Sequence, residues 1–198
     1  MKIIGFIAAS AFFLALACLV YWLHMAFLQV NVVFYSAIVD GVLAAFVTAA
    51  LVLRLKYFSV FGAFEKLQML IIWLLAAYAL AISVPTVLDR SLSFYILEKL
   101  QQRGGGIQQS RFAEVFTDEY VKEHRLVDVR LTEQLESGTI RIENGCVLLT
   151  PKGDRLASFS RFFRQHLLPK QRLLMGRYSD DLTDPFRNSA AQKNYTCP

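Results

Sequence analysis

The chain has 198 residues, 55% of them hydrophobic, with 21 basic against 16 acidic side chains and three cysteines. That length allows one or two domains, and three cysteines are too few for a disulfide framework. Residues 1–90 hold five basic and three acidic residues, and residues 91–198 hold sixteen and thirteen, so a lipid-like part precedes a water-like one.

Ile3 to Leu23 is a run of 21 residues without Asp, Glu, Lys or Arg. About 20 apolar residues cross the hydrocarbon core of a bilayer, so the run predicts a first span. A secretory signal peptide is the competing reading, because Lys2 precedes it. The run continues past any small-residue cleavage site, and Tyr21-Trp22 fits an interfacial aromatic belt, which favours a span. Val32 to Leu53 and Leu67 to Leu88 predict the second and third. Pro85 falls in the last turn of the third, where it would loosen the helix. Small residues recur in the first two spans, among them Gly5, Ala9, Gly41, Ala44 and Ala45, and let helix backbones approach closely.

Asp40 is the one Asp, Glu, Lys or Arg well inside a span. A carboxyl group there costs roughly 2.5–3.5 kcal/mol on insertion scales, so it calls for a reason. Counted by depth, Tyr78 and Ser83 of the third span are its expected neighbours. Two readings stand side by side: a hydrogen-bonded carboxyl that fixes packing, or a contact to a partner subunit, a lipid headgroup or a proton path. Asp89 and Arg90 end the third span as interfacial anchors. Lys2, Arg54, Lys56 and Lys66 face one side of the membrane, and Arg90, Lys99 and Arg103 the other. By the positive-inside rule, four against three places the carboxyl-terminal part on the non-cytoplasmic side of an inner membrane.

Beyond the spans, Leu92, Tyr95, Ile96, Lys99 and Leu100 have helical spacing. Gly104-Gly105-Gly106 ends that helix; no strand precedes it and no Lys-Ser/Thr follows, so it does not read as a phosphate cradle. Ser110 to His124 predicts a second helix, with Phe112, Val115, Phe116, Tyr120 and Val121 on its inner face. A third helix starts near Val127 and closes at Glu136-Ser137-Gly138. Thr139–Ile142 and Cys146–Leu149 are short β-prone runs, joined by Asn144-Gly145, a strong hairpin signal. Thr150 then reads as a helix N-cap with Pro151 in the first turn, and that helix runs to about Leu168.

This order of three helices, a hairpin and a helix resembles the winged-helix family over about residues 91–168. The resemblance rests on Gly138, Ile140, Asn144-Gly145 and Leu149-Thr150-Pro151-Lys152-Gly153. It implies a small α+β domain, which makes the whole chain mostly α: a membrane domain over 1–90, a winged-helix-like domain over 91–178 and a flexible tail over 179–198. The fold serves DNA binding and protein contacts alike. In DNA-binding members the third helix enters the major groove. Here that helix sets Arg130 against Asp128, Glu133 and Glu136, and residues 91–150 hold seven basic and nine acidic residues. An acidic face repels phosphates, which supply most of the non-specific affinity for DNA.

Positive charge collects instead in residues 151–178, with seven basic residues against Asp154 alone. Arg155, Arg161, Arg164, Lys170 and Arg172 alternate with Phe162 and other bulky apolar groups, a pattern suited to an anionic membrane surface or a partner protein. Solvation of a core-packed helix is the plainer alternative. Asn194-Tyr195-Thr196 matches a glycosylation acceptor. Cys146 and Cys197 could pair only in an oxidising compartment, three free thiols being the alternative.

No nucleophile with its base, no metal-ligand spacing and no cofactor motif is present, so no catalytic residue, metal or cofactor is expected. The sequence reads as a non-enzymatic accessory or scaffold subunit of an envelope membrane complex, with glycan or lipid-carrier enzymes as conceivable neighbours. Its expected partners are membrane lipids and other membrane or envelope proteins. A membrane-tethered, DNA-binding regulator is the alternative.

Overall fold

The structure, a computed structural model, describes residues 2–187 of the chain. It divides into two units between residues 126 and 127.

Three helices open the first unit: α1 (Lys2–Phe27), α2 (Val33–Arg54) and α3 (Ala63–Arg90). All are long and apolar enough to cross a membrane. α1 outruns the expected span and takes in His24. α3 starts four residues earlier than the apolar run, because Glu65 caps it: its Oε2 accepts from the Gly62 amide at 2.7 Å. Its other oxygen meets Lys2 Nζ at 2.6 Å, so the amino ends of α1 and α3 lie together.

Small residues and four aromatic rings, Phe13, Phe58, Phe61 and Trp73, hold this bundle. Ala9, Phe13, Ala44, Ala45, Val52, Met69, Trp73 and Ala77 are buried in one cluster. Phe13 and Trp73 stack with centroids 5.9 Å apart, and the indole N–H donates to Ser10 Oγ at 3.1 Å. At Gly41 α2 and α3 approach closely, since a Cβ there would lie 2.7 Å from Cβ of Ala77. Lipid offers apolar groups the same environment as the helix interior, so close packing holds such a bundle more than water exclusion does.

Pro85 loosens α3 as expected. Residues Ile82–Thr86 form a π turn. Proline has no N–H for the carbonyl four residues back, and Thr86 Oγ1 donates to that carbonyl, Ala81 O, at 2.7 Å. In a π turn that carbonyl takes the N–H five residues on, so the backbone and the hydroxyl of Thr86 both serve it.

After Ser91, which caps it, α4 runs over Leu92–Gln102. α5 covers 112–123 and is interrupted by a π turn at Val115–Tyr120. Tyr95, Val115 and Tyr120 form a second small core, flanked by Ile107, Phe116 and Leu126.

The second unit begins in α6 (Leu126–Glu136), which buries none of its residues. β1 (Ile140–Glu143) pairs antiparallel with β2 (Cys146–Leu149), Ile140 opposite Leu149. Asn144 and Gly145 both have positive φ, 51° and 76°, as a type I′ turn requires. Thr150 then caps α7 (Pro151–His166), accepting from the Gly153 amide at 3.1 Å. Gly153 admits no side chain, since a Cβ would lie 2.1 Å from the Thr139 carbonyl oxygen.

A second hairpin, beyond the expected elements, pairs β3 (Arg172–Leu174) with β4 (Arg177–Ser179). Met175 and Gly176 make its turn, at φ 47° and 85°. Methionine seldom adopts that conformation, so the turn carried no compositional signal. Residues up to Arg187 of the expected tail are tied down: Arg187 bridges Asp180 at 2.8 Å and Asp181 at 2.7 Å, and Thr183 Oγ1 donates to Lys170 O at 2.9 Å. The Asn194-Tyr195-Thr196 pattern and Cys197 lie outside the described residues.

Candidate functional site

Asp40 is buried, its side chain 6% exposed, and its partner is His24. His24 Nδ1 lies 2.7 Å from Asp40 Oδ1, and Oδ2 has no hydrogen-bond partner. Asp40 follows Val33 by seven residues, which places it about 10 Å along α2. The pair therefore sits near one end of the bundle.

Tyr78 and Ser83 are not the neighbours of Asp40 that depth alone had implied. Both are exposed. α3 buries Met69, Trp73, Ala77 and Ala81, a stripe at every fourth residue. Tyr78 follows Ala77 by one residue, roughly 100° around the helix, and so points away. His24 lies just past the apolar run that ends at Leu23, outside the expected first span. An ionisable group one turn beyond an apolar run was the available signal.

Beside the pair lies a cavity of about 200 Å3, lined by residues of all three helices. Ala37, Ala77, Ala81 and Pro85 contribute apolar walls. Asp40, Tyr21 and Cys18 are its polar side chains.

A second cluster lies just past the spans. Lys99 is 4% exposed, with Nζ 2.7 Å from Glu119 and 2.6 Å from Glu123. Tyr95 donates to Glu123 at 2.9 Å, and Arg103 reaches Glu119 at 2.9 Å. These bonds join α4 to α5. The Glu119 and Glu123 carboxylates hold the Lys99 ammonium well above its ordinary value. Lys99, then Arg103, lowers Glu119; Lys99, then Tyr95, lowers Glu123. Burial, then Glu123, raises the Tyr95 phenol. Every member has a partner, so the cluster reads as a brace. Asp89 and Arg90 form the last turn of α3, where Arg90 complements the helix dipole.

The third feature is the surface of α7. Only Gly153 is buried there. Leu156, Phe159, Phe162 and Phe163 are 51%, 60%, 52% and 40% exposed. Arg155, Arg161 and Lys170 are exposed, and Arg164 and Arg172 are half-buried. A shallow cavity of about 530 Å3 separates α7 from β3 and is lined by Phe159, Phe163, Arg164 and Arg172 among others. On α6, by contrast, Arg130 is held by Glu133 at 2.8 Å.

Among the described residues no group of three His, Cys, Asp or Glu side chains could hold a metal ion. The three apolar helices fit a multi-pass membrane protein with a mostly helical body and two small sheets. No protein-family model matches the chain, and no curated protein or solved structure matches it.

Proposed function

We infer that this chain is a non-enzymatic accessory or scaffold subunit of an envelope membrane complex. Three helices anchor it, and the residues after the spans supply a winged-helix-like contact surface on the non-cytoplasmic side of an inner membrane. One observation carries this reading: α7 leaves Leu156, Phe159, Phe162 and Phe163 uncovered beside Arg155 and Arg161. Scattered apolar side chains on a surface need no explanation, but a contiguous row of them is a contact site. The arginines favour an anionic partner surface, and their planar heads suit carboxylates and phosphates.

The regulator reading fares worse. A helix that reads DNA needs its basic side chains available for phosphates and base edges, and the one arginine of α6 is engaged by Glu133. Binding of duplex DNA with a steep salt dependence would replace the scaffold reading.

The test is native electrophoresis of gently solubilised membranes that contain the full chain or its Phe159→Ser/Phe162→Ser variant. The full chain is expected in an assembly larger than itself, with the variant folded but released at its own mass. A wild-type chain at its own mass, or a variant retained in the assembly, refutes the reading.

A further inference from the structure

Anchoring gives no role to the cavity beside Asp40. With Nδ1 of His24 2.7 Å from Oδ1, one proton lies between the two atoms. Oδ2, the other carboxyl oxygen, has no hydrogen-bond partner, and without a proton of its own it is an acceptor lacking a donor. A buried acceptor left unpaired is costly, more so in the low dielectric of a bilayer. Asp40 lines the cavity and Oδ2 lies just beneath its surface, so a small turn of the carboxyl lets a group entering there supply the missing donor.

Size and depth narrow the occupant. A water molecule takes about 30 Å3, and an apolar cavity of about 150 Å3 takes benzene. The volume of about 200 Å3 suits a small polar head with its first few methylenes. At 22 residues α2 is about 33 Å long, close to the roughly 30 Å of the hydrocarbon core, so Asp40, about 10 Å along it, lies in the outer third of the hydrocarbon. A single-chain amphiphile that enters sideways between the helices brings its polar end to that depth. Leu80 and Val84 line the cavity and are 38% and 50% exposed, and Cys18 is exposed as well. The mouth therefore opens sideways from the bundle, where a chain can leave.

We propose that this cavity binds a single-chain amphiphile with a hydrogen-bond-donating head, a hydroxyl or an amine, which donates to Asp40 Oδ2 while the chain leaves past Leu80 and Val84. The Tyr21 phenol offers the head a second polar contact. Only residues of the spans are involved, so this binding is independent of the α7 surface.

Cys18 at the mouth provides the readout. The full-length protein is placed in phosphatidylcholine nanodiscs, and N-ethylmaleimide alkylation of the Cys18 peptide is followed by mass spectrometry. Dodecanol, dodecylamine, dodecyl methyl ether and dodecane are compared at one mole fraction. At four times the dissociation constant, simple occupancy slows alkylation about fivefold. That slowing is expected with the alcohol, the amine or both, and not with the ether or dodecane, which lack a donor. Asp40→Leu removes the acceptor and is expected to abolish the slowing. Val84→Trp fills the mouth at a half-exposed position and is expected to do the same if the Asp40 variant does not fold. Equal protection by dodecane and dodecanol, protection by none of the four, or protection that survives Val84→Trp overturns the proposal.

Discussion

The contact of Gly41 with Ala77 gives the sharpest test of the bundle. Alanine at 41 would bring its Cβ to 2.7 Å from Cβ of Ala77, where ordinary contact begins at 3.4 Å. The helices must part locally by the difference, about 0.7 Å, and the obstacle is another short side chain that cannot swing aside. Overpacking of this kind costs about 1–3 kcal/mol. Ala77→Gly alone loses contacts and about 1 kcal/mol of helix propensity. Combined with Gly41→Ala it removes the clash, because the remaining neighbour, Cα of Ala77, lies at 3.4 Å. The double variant should therefore be more stable than the sum of the single effects, by a coupling of about 1–3 kcal/mol. Reversible unfolding in mixed micelles with rising sodium dodecyl sulfate measures it, with the near-ultraviolet signal of Trp73 stacked on Phe13 as reporter. Gly41→Ala as stable as the parent chain, or additive effects in the double variant, would refute the α2–α3 packing.

Three further outcomes are expected. Thr86→Val removes the hydroxyl that donates to Ala81 O within α3 and should cost about 0.5–1.5 kcal/mol, the net worth of one hydrogen bond, in the same micelle assay; no loss would mean that the backbone of the π turn alone satisfies that carbonyl. The Lys99 cluster sets a pH window. Its carboxylates, with lowered values, stabilise the 91–126 region above glutamate's ordinary 4.5 and release it as acid titrates them below that. Lys99, with a raised value, stabilises it below lysine's ordinary 10.5 and lets go only above. Amide exchange in α4 and α5 should thus be flat between those limits and rise outside them once its intrinsic pH dependence is removed, and Lys99→Met should weaken both limbs while Arg103 and Tyr95 keep part of the acid one. Met175→Asn, at φ 47°, should recover about 0.5–1 kcal/mol of the roughly 1–2 kcal/mol that a left-handed residue costs, read as slower amide exchange across 172–179.

Local signals were legible. Charge-free length announced the three spans, Asn144-Gly145 the first hairpin, and Thr150-Pro151 the start of α7. Pro85 marked the loosened turn. Each is a property of a few consecutive residues, governed by backbone sterics or by the thickness of a bilayer. The second hairpin was hidden because Met175 occupies a conformation usually left to glycine or asparagine. The start of α3 was hidden because Glu65, a charge that seemed to end the lipid-like run, is the cap of the helix.

That Asp40 is an ionisable group within a span, and that a basic, aromatic stretch follows Gly153, can be read from consecutive residues alone. What faces Asp40 depends on how the helices pack. Depth along a helix follows from counting residues, and on that count Tyr78 and Ser83 seemed right for Asp40. The rotation of one helix against the next is set by how side chains mesh between them. Here Gly41 meeting Ala77 and Phe13 stacking on Trp73 fix that rotation, turning Tyr78 outward. The same meshing sets His24 against Asp40, sixteen residues away, with one carboxyl oxygen still unmatched beside a cavity.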